Sequence, residues 1–183
     1  TGGRSQNEDT TLAEELPWGN FNFWLQFTAD GHGGSEAAHT VNECFRPFFL
    51  KQLADYHNEN KCDLLVLGEF DTMVSWALQR TTIDLQEKIA SSFGRAGTTL
   101  VVQLFILNHP AIESLFGWAL VIGDSRFIVC DATTGKIMKC VKTITDLHEK
   151  DLSVHEDRSK DFCRVFPDDD LGKGKSLASQ MLS

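Results

Sequence analysis

The sequence predicts an α+β fold in which antiparallel sheet is covered by helices. Three observations carry that prediction. Phe21-Asn22-Phe23-Trp24-Leu25-Gln26-Phe27-Thr28 alternates, so Phe21, Phe23, Leu25 and Phe27 share one face, the period-2 pattern of a strand. Two long stretches, 35–56 and 69–93, repeat apolar residues at helical intervals. After residue 97 the chain changes to short, β-branched apolar segments separated by turn residues. Two helices between strands exclude an all-β chain. Consecutive late strands exclude a strictly alternating parallel sheet.

Taken in order, residues 2–20 are polar, with Pro17 and Gly19 near the end, and read as a short strand or extended segment followed by a loop. The strand 21–28 stops at the glycine-rich turn Asp30-Gly31-His32-Gly33-Gly34. Ser35 fits an N-cap, and Ala38, Val41, Phe45, Phe48/Phe49, Leu53 and Tyr56 form the inner stripe of a first helix. Pro47 is expected to kink or restart it, because proline removes a backbone donor and crowds the preceding turn. The polar stretch 57–63 reads as a loop. In the second helix, about 69–93, Phe70, Val74, Leu78, Thr81, Leu85, Ile89 and Phe93 make the stripe, while Gln79, Arg80, Gln86, Glu87 and Lys88 are solvated. Strands are then expected at 98–107, 117–122 and 126–130, with Ala132-Thr133-Thr134-Gly135 turning into another at 136–141. Residues 148–160 are dense in charge, Asp168-Asp169-Asp170 follows, and no internal repeat occurs.

The 183 residues fit one domain. With 42% hydrophobic and 23% charged residues, wholesale disorder is excluded. A net charge of −9 argues against gripping nucleic-acid backbones by bulk charge. The longest apolar runs, 100–107 and 116–122, fall far short of the roughly 18 residues a membrane helix needs. No apolar run follows Thr1-Gly2-Gly3-Arg4, so no secretory leader is read there. Five cysteines, at 44, 62, 130, 140 and 163, form no Cys-x-x-Cys pair. They indicate neither a zinc ribbon nor a disulfide framework and fit the cytoplasm or nucleus, each most simply as a small apolar side chain.

The residues with chemistry cluster at strand ends and turns: Arg4, Glu8 and Asp9, then Asp30, Gly31 and His32, then Asp124. Carboxylates at strand ends can converge on a hard divalent cation, and glycine beside Asp30 lets a backbone carbonyl approach the same ion. An arginine nearby suits phosphate, because its fork matches the phosphoryl oxygens. Each piece alone has a plainer reading. Arg4-x-x-x-Glu8-Asp9 is by itself a solvated polar segment, Gly123-Asp124-Ser125 a turn, and His32 a turn histidine. Three glycines in five residues after the strand exceed what a tight turn requires.

Together these segments resemble the metal-dependent protein serine/threonine phosphatases of the PPM class, also called PP2C. Gly3-Arg4-x-x-x-Glu8-Asp9 is similar to that family's opening Gly-x-Arg-x-x-x-Glu-Asp segment. Asp30-Gly31-His32-Gly33-Gly34 matches its Asp-Gly-His-Gly-Gly motif. Gly97-Thr98-Thr99 resembles its Gly-Ser/Thr-Thr strand start, and Gly123-Asp124-Ser125-Arg126 its Gly-Asp-Ser-Arg. Thr145-Asp146-x-His148 is similar to Thr-x-Asp-His, and Leu177-Ala178-Ser179 faintly to a later segment. The resemblance covers residues 2–148, and 151–183 match poorly.

The resemblance implies a PP2C-like antiparallel β-sandwich flanked by helices. It implies hydrolysis of phosphoserine and phosphothreonine in proteins by a water activated on two Mn²⁺ or Mg²⁺ ions. Asp30 would bridge the ions, the Gly31 carbonyl would be a ligand, Glu8 and Asp9 would hold metal or its waters, and Asp124 would serve a further, weaker position. Arg4 would bind the phosphate and His32 would protonate the leaving alkoxide, since a histidine proton exchanges near pH 7. Two later aspartates of the family, in Asp-Gly and Asp-Asn motifs, have no counterpart: no Asp-Gly follows position 31 and no Asp-Asn occurs. The chain is therefore expected to be a single, partial domain of a longer phosphatase, with strands missing at both ends. The alternative is a catalytically inactive PP2C-like scaffold or structural subunit that binds a protein partner. The expected partners are a phosphoprotein substrate and a further segment or protein that completes the sandwich, because open sheet edges invite pairing.

Overall fold

The structure, a computed structural model, describes residues 7–93, 96–112, 116–123, 125–130, 133–135, 137–142, 166–167 and 181–182. Arg4, Asp124, Thr145, Asp146, His148, Asp168, Asp169, Asp170 and residues 177–179 lie outside the described residues.

The chain runs β1 (Thr10–Trp18), β2 (Phe21–Ala29), β3 (Gly31–His32), α1 (Glu36–Asn60), α2 (Leu67–Ser92), β4 (Gly97–Thr98), β5 (Leu100–Ile106), β6 (Phe116–Ile122), β7 (Arg126–Cys130), β8 (Ile137–Lys142), β9 (Phe166–Pro167) and β10 (Met181–Leu182). This is an α+β fold with antiparallel sheets, as the sequence predicts. Five strands form one sheet in the order β1-β2-β5-β6-β10, β3 pairs with β4, and β7-β8-β9 form a third. Every pairing among the described residues is antiparallel. No helix among the described residues is long and apolar enough to cross a membrane.

The alternation in β2 sets the core. Phe23, Leu25 and Phe27 on its inner face are fully buried, and the register places them opposite Ile106, Leu104 and Val102 of β5. In turn β5 pairs Leu104 with Trp118 and Val102 with Leu120 of β6. The helices close over that face: Phe45 and Phe49 of α1 and Phe70 of α2 are fully buried, with ring contacts to Phe23 and Phe27. Each such side chain stabilises by about 1.5–3 kcal/mol. The exposed Arg46–Glu14 ion pair at 3.6 Å, joining α1 to β1, contributes at most about 1 kcal/mol. Apolar burial, not surface charge, fixes the helices on the sheet. Residues Phe116 to Val121 of β6 are buried on both faces, and β6 touches both β7 and β8.

Three elements differ from the sequence expectation. The polar opening is a full nine-residue strand, β1, whose outward positions are exposed and whose only fully inward anchor is Leu16. Pro17 is tolerated because β1 lies at the edge of its sheet, where the missing donor faces away from a partner. The first helix runs unbroken through Pro47 from Glu36 to Asn60, absorbing part of the loop expected at 57–63. The burial of Phe45 and Phe49 on either side outweighs the roughly 3 kcal/mol penalty of an interior proline. Ser35 occupies the N-cap position without a side-chain cap bond, and only its carbonyl engages, accepting from the His39 amide at 2.9 Å.

Several polar groups within the core are matched, although the buried Ser75 hydroxyl has no hydrogen-bond partner within the geometric limits of such a bond. The Gln52 amide of α1 donates to Asp84 of α2 at 2.6 Å. Thr81 and Thr82 hydroxyls donate back to the Ala77 and Leu78 carbonyls. At the far end of the helices, His109 stacks on Phe21 and Phe70 and bonds the Leu64 carbonyl at 2.9 Å. Because the Ala111 amide donates to Nδ1, the ring proton sits on Nε2.

Candidate functional site

Four segments that are distant in sequence meet where β2 ends. The β1–β2 ladder ends with Thr10 opposite Ala29, Asp9 and Asp30 follow directly on those two positions, and Glu8 lies against Gly31. The approach at Gly31 is close. A Cβ there would run into the Glu8 carbonyl and lie 3.2 Å from the Glu8 Cβ, so no residue with a side chain fits without displacing Glu8. Gly33 and Gly34 take φ of 72° and 131°, conformations that side chains rarely adopt, and this is where the three-glycine turn leaves the strand direction for α1.

The Asp30 carbonyl is held from the other side. It accepts from the Thr99 amide at 2.9 Å and from the Thr98 hydroxyl at 3.0 Å. Next to it, Gly31 pairs with Thr98 and His32 with Gly97 in the small β3–β4 sheet. Thr99 then reaches the fourth segment: its hydroxyl lies 2.8 Å from that of Ser125. Gly123, at φ 90°, packs so tightly on Thr99 that an added Cβ would sit 2.8 Å from the Thr99 methyl.

Of the residues singled out in the sequence, Glu8, Asp30, Gly31 and His32 are thus gathered within one neighbourhood. Asp9 adjoins Glu8 in the chain, and its amide donates to Asn7 Oδ1 at 3.3 Å. Asp30, Asp9 and His32 are exposed, Glu8 is half-buried and Gly31 is buried. The donors are oxygen atoms, the kind that hard divalent cations take. In number they fall short: among the described residues no group of three or more His, Cys, Asp or Glu side chains is gathered to hold a metal ion. A complete centre needs ligands beyond those, and Asp124, next to Gly123 and Ser125, lies outside the described residues.

A cavity of about 280 Å³ opens beside β4, walled by Val41, Leu85, Ile89, Phe93, Leu100 and Ile122 together with Gly97 and Thr98. Its lining is mainly apolar, and none of the candidate carboxylates belongs to it.

Sequence reasoning missed Asp71. It is buried on the inner side of α2 and accepts a 2.7 Å bond from the Trp118 indole. Burial pushes its carboxyl above the ordinary value, and the bonds from Trp118 and Ser75 oppose that shift. The available signal was an acid directly beside Phe70 on the apolar stripe.

No family model matches the chain, and no curated protein matches it. Among solved structures it is similar to a PPM Ser-Thr phosphatase from Mycobacterium smegmatis, determined in complex with cacodylate. The identity is 20% and the TM-score 0.39, over 74% of this chain and 47% of that one. The chain thus spans about half the length of that phosphatase.

Proposed function

We propose that the chain is part of a metal-dependent protein phosphatase that hydrolyses phosphoserine and phosphothreonine. One observation supports this reading above the rest. The segments that carry the family-like motifs, at Glu8, Asp30-Gly31-His32, Gly97-Thr98-Thr99, and Gly123 and Ser125, converge on one face through backbone and hydroxyl contacts. Chance resemblance of four short motifs has no reason to bring them together.

In this reading Asp30, Glu8, Asp9 and the Gly31 carbonyl would hold Mn²⁺ or Mg²⁺, and Asp124 with further ligands would complete the set. Bound divalent ions supply Lewis-acid activation of water and neutralise phosphoryl oxygens. Arg4 grips the phosphate through two parallel N–H···O bonds. Water adds to phosphorus as the ester P–O bond breaks, and His32 gives its proton to the departing serine or threonine oxygen. The products are the free hydroxyl and inorganic phosphate.

The test is phosphate release from a phosphothreonine peptide, by this chain and by the full natural protein that contains it. Release that needs Mn²⁺, stops with EDTA and is lost in Asp30→Asn supports the reading. Calorimetry should show the same variant losing tight Mn²⁺ binding. No release from either protein overturns it.

A second reading, a PP2C-like scaffold that binds a protein partner without catalysis, has one observation in its favour: the described residues gather no three-ligand metal group. Mn²⁺ binding by the full natural protein, lost in Asp30→Asn, decides against it.

A further inference from the structure

His32 lies across the backbone of Gly97. The two residues face each other in the β3–β4 pairing. A Cβ built on Gly97 would overlap Nε2 of the His32 ring and fall 2.7 Å from Cε1 and 3.2 Å from Cδ2. The three heavy atoms nearest to it all belong to that ring. Gly97 also does not adopt a positive φ, so its backbone conformation is open to any residue. What a side chain at Gly97 would meet first is therefore the imidazole.

We propose that Gly97 is a positioning residue for His32: its bare Cα is the floor on which the imidazole lies, and this fixes where the ring nitrogen can deliver a proton. The catalytic consequence rests on the phosphatase reading above, whereas the contact does not. The floor is itself anchored. Thr98, one residue on, holds the Asp30 carbonyl through its hydroxyl, and Thr99 holds the same carbonyl through its amide. Asp30 and His32 are thus referenced to one short piece of β4.

The experiment compares Gly97→Ala with the unaltered chain in three ways. In NMR spectra at one fixed pH, His32 ring protons should show Overhauser contacts to the Gly97 α-protons. The alanine variant should move the His32 ring resonances and leave those of His39, His57 and His109 in place. Unmoved His32 resonances overturn the proposal. In thermal unfolding, Gly97→Ala should lower the midpoint in the presence of His32 but not in a His32→Ala background, since removal of the ring opens the space. Equal losses in both backgrounds overturn it. In turnover by the full natural protein, Gly97→Ala should lower kcat on a phosphothreonine peptide on the order of 10²-fold, the scale of a lost general acid. KM should hold within about twofold, and an aryl phosphate, whose leaving group needs no proton, should be spared. Equal loss on both substrates overturns the positioning role. If the natural protein releases no phosphate at all, the phosphatase reading fails, and the NMR and unfolding results still decide the contact.

Discussion

The Trp118 indole nitrogen donates a 2.7 Å hydrogen bond to the Asp71 carboxylate, so the largest buried side chain of β6 is tied to a buried acid on α2. The bond satisfies the indole, but it keeps a carboxylate inside the layer between helix and sheet.

Burial raises the Asp71 carboxyl above its ordinary value of 3.8. An acid with a raised value in the folded state binds more protons folded than unfolded, so stability falls as pH climbs from about 3.8 through the raised value and stays lower above it. Asp71→Asn keeps the acceptor oxygen and removes the charge. It is expected to raise the urea midpoint at pH 7 and to flatten that decline. Asp71→Ala leaves the indole N–H unpaired and should cost about 1–3 kcal/mol. Urea titrations across the pH range check both.

Phe70 packs on four rings, Phe21, Phe23, His109 and Trp118, with centroids 4.8 to 6.2 Å away. It is fully buried where α2, β2 and β6 meet. Phe70→Ala should cost about 3–5 kcal/mol, read from the denaturation midpoint at unchanged slope. A loss under 1 kcal/mol, by the same measure, would mean that the rings do not meet as described.

Pro47 stands exposed inside an unbroken helix. Pro47→Ala restores a donor toward the preceding turn and should raise stability by about 1–3 kcal/mol without altering helix content by circular dichroism. A destabilised variant would show that the helix depends on a bend there.

In the proposed function Arg4 would bind the phosphate already in the ground state. Arg4→Ala should raise KM for a phosphopeptide on the order of tenfold or more and leave kcat nearly unchanged, in keeping with a lost charge-assisted bond. Steady-state kinetics with the full natural protein separate the two parameters. A fall in kcat alone contradicts the assignment.

The core was legible because its signals are periodic. Phe21 to Phe27 alternate, and Phe70, Val74, Leu78 and Leu85 recur at helical spacing, and burial follows both patterns. The full length of strand β1 was not legible, because an edge strand with only Leu16 fully buried carries little apolar signal. The continuity of α1 through Pro47 was misread for a different reason: the local penalty is visible in the sequence, while the tertiary burial of Phe45 and Phe49 that overrides it is not. At the site, the motifs themselves could be read, and Glu8, Asp30, Gly31 and His32 do come together. What one sequence could not supply was pairing. Nothing in Gly97 says that His32 lies on it, and nothing in Thr99 says that its hydroxyl meets Ser125.

The neighbouring places of β2 and β5 in the sheet give the fold a modular layout. The chain leaves the sheet after Asp30, travels through both helices and re-enters at Thr99, where the amide bonds back to the Asp30 carbonyl. The whole helical excursion therefore passes through one neck, and the neck is the acid-rich face. At the opposite end, the turn 61–66 pairs with no strand and exposes Leu65 and Val66. Lengthening that turn costs only about 0.6 kcal/mol per doubling of a flexible loop. Insertions and deletions can accumulate there over evolutionary time while the neck keeps its geometry, so relatives of this chain can diverge at the turn while sharing one arrangement of Asp30, His32 and Thr99.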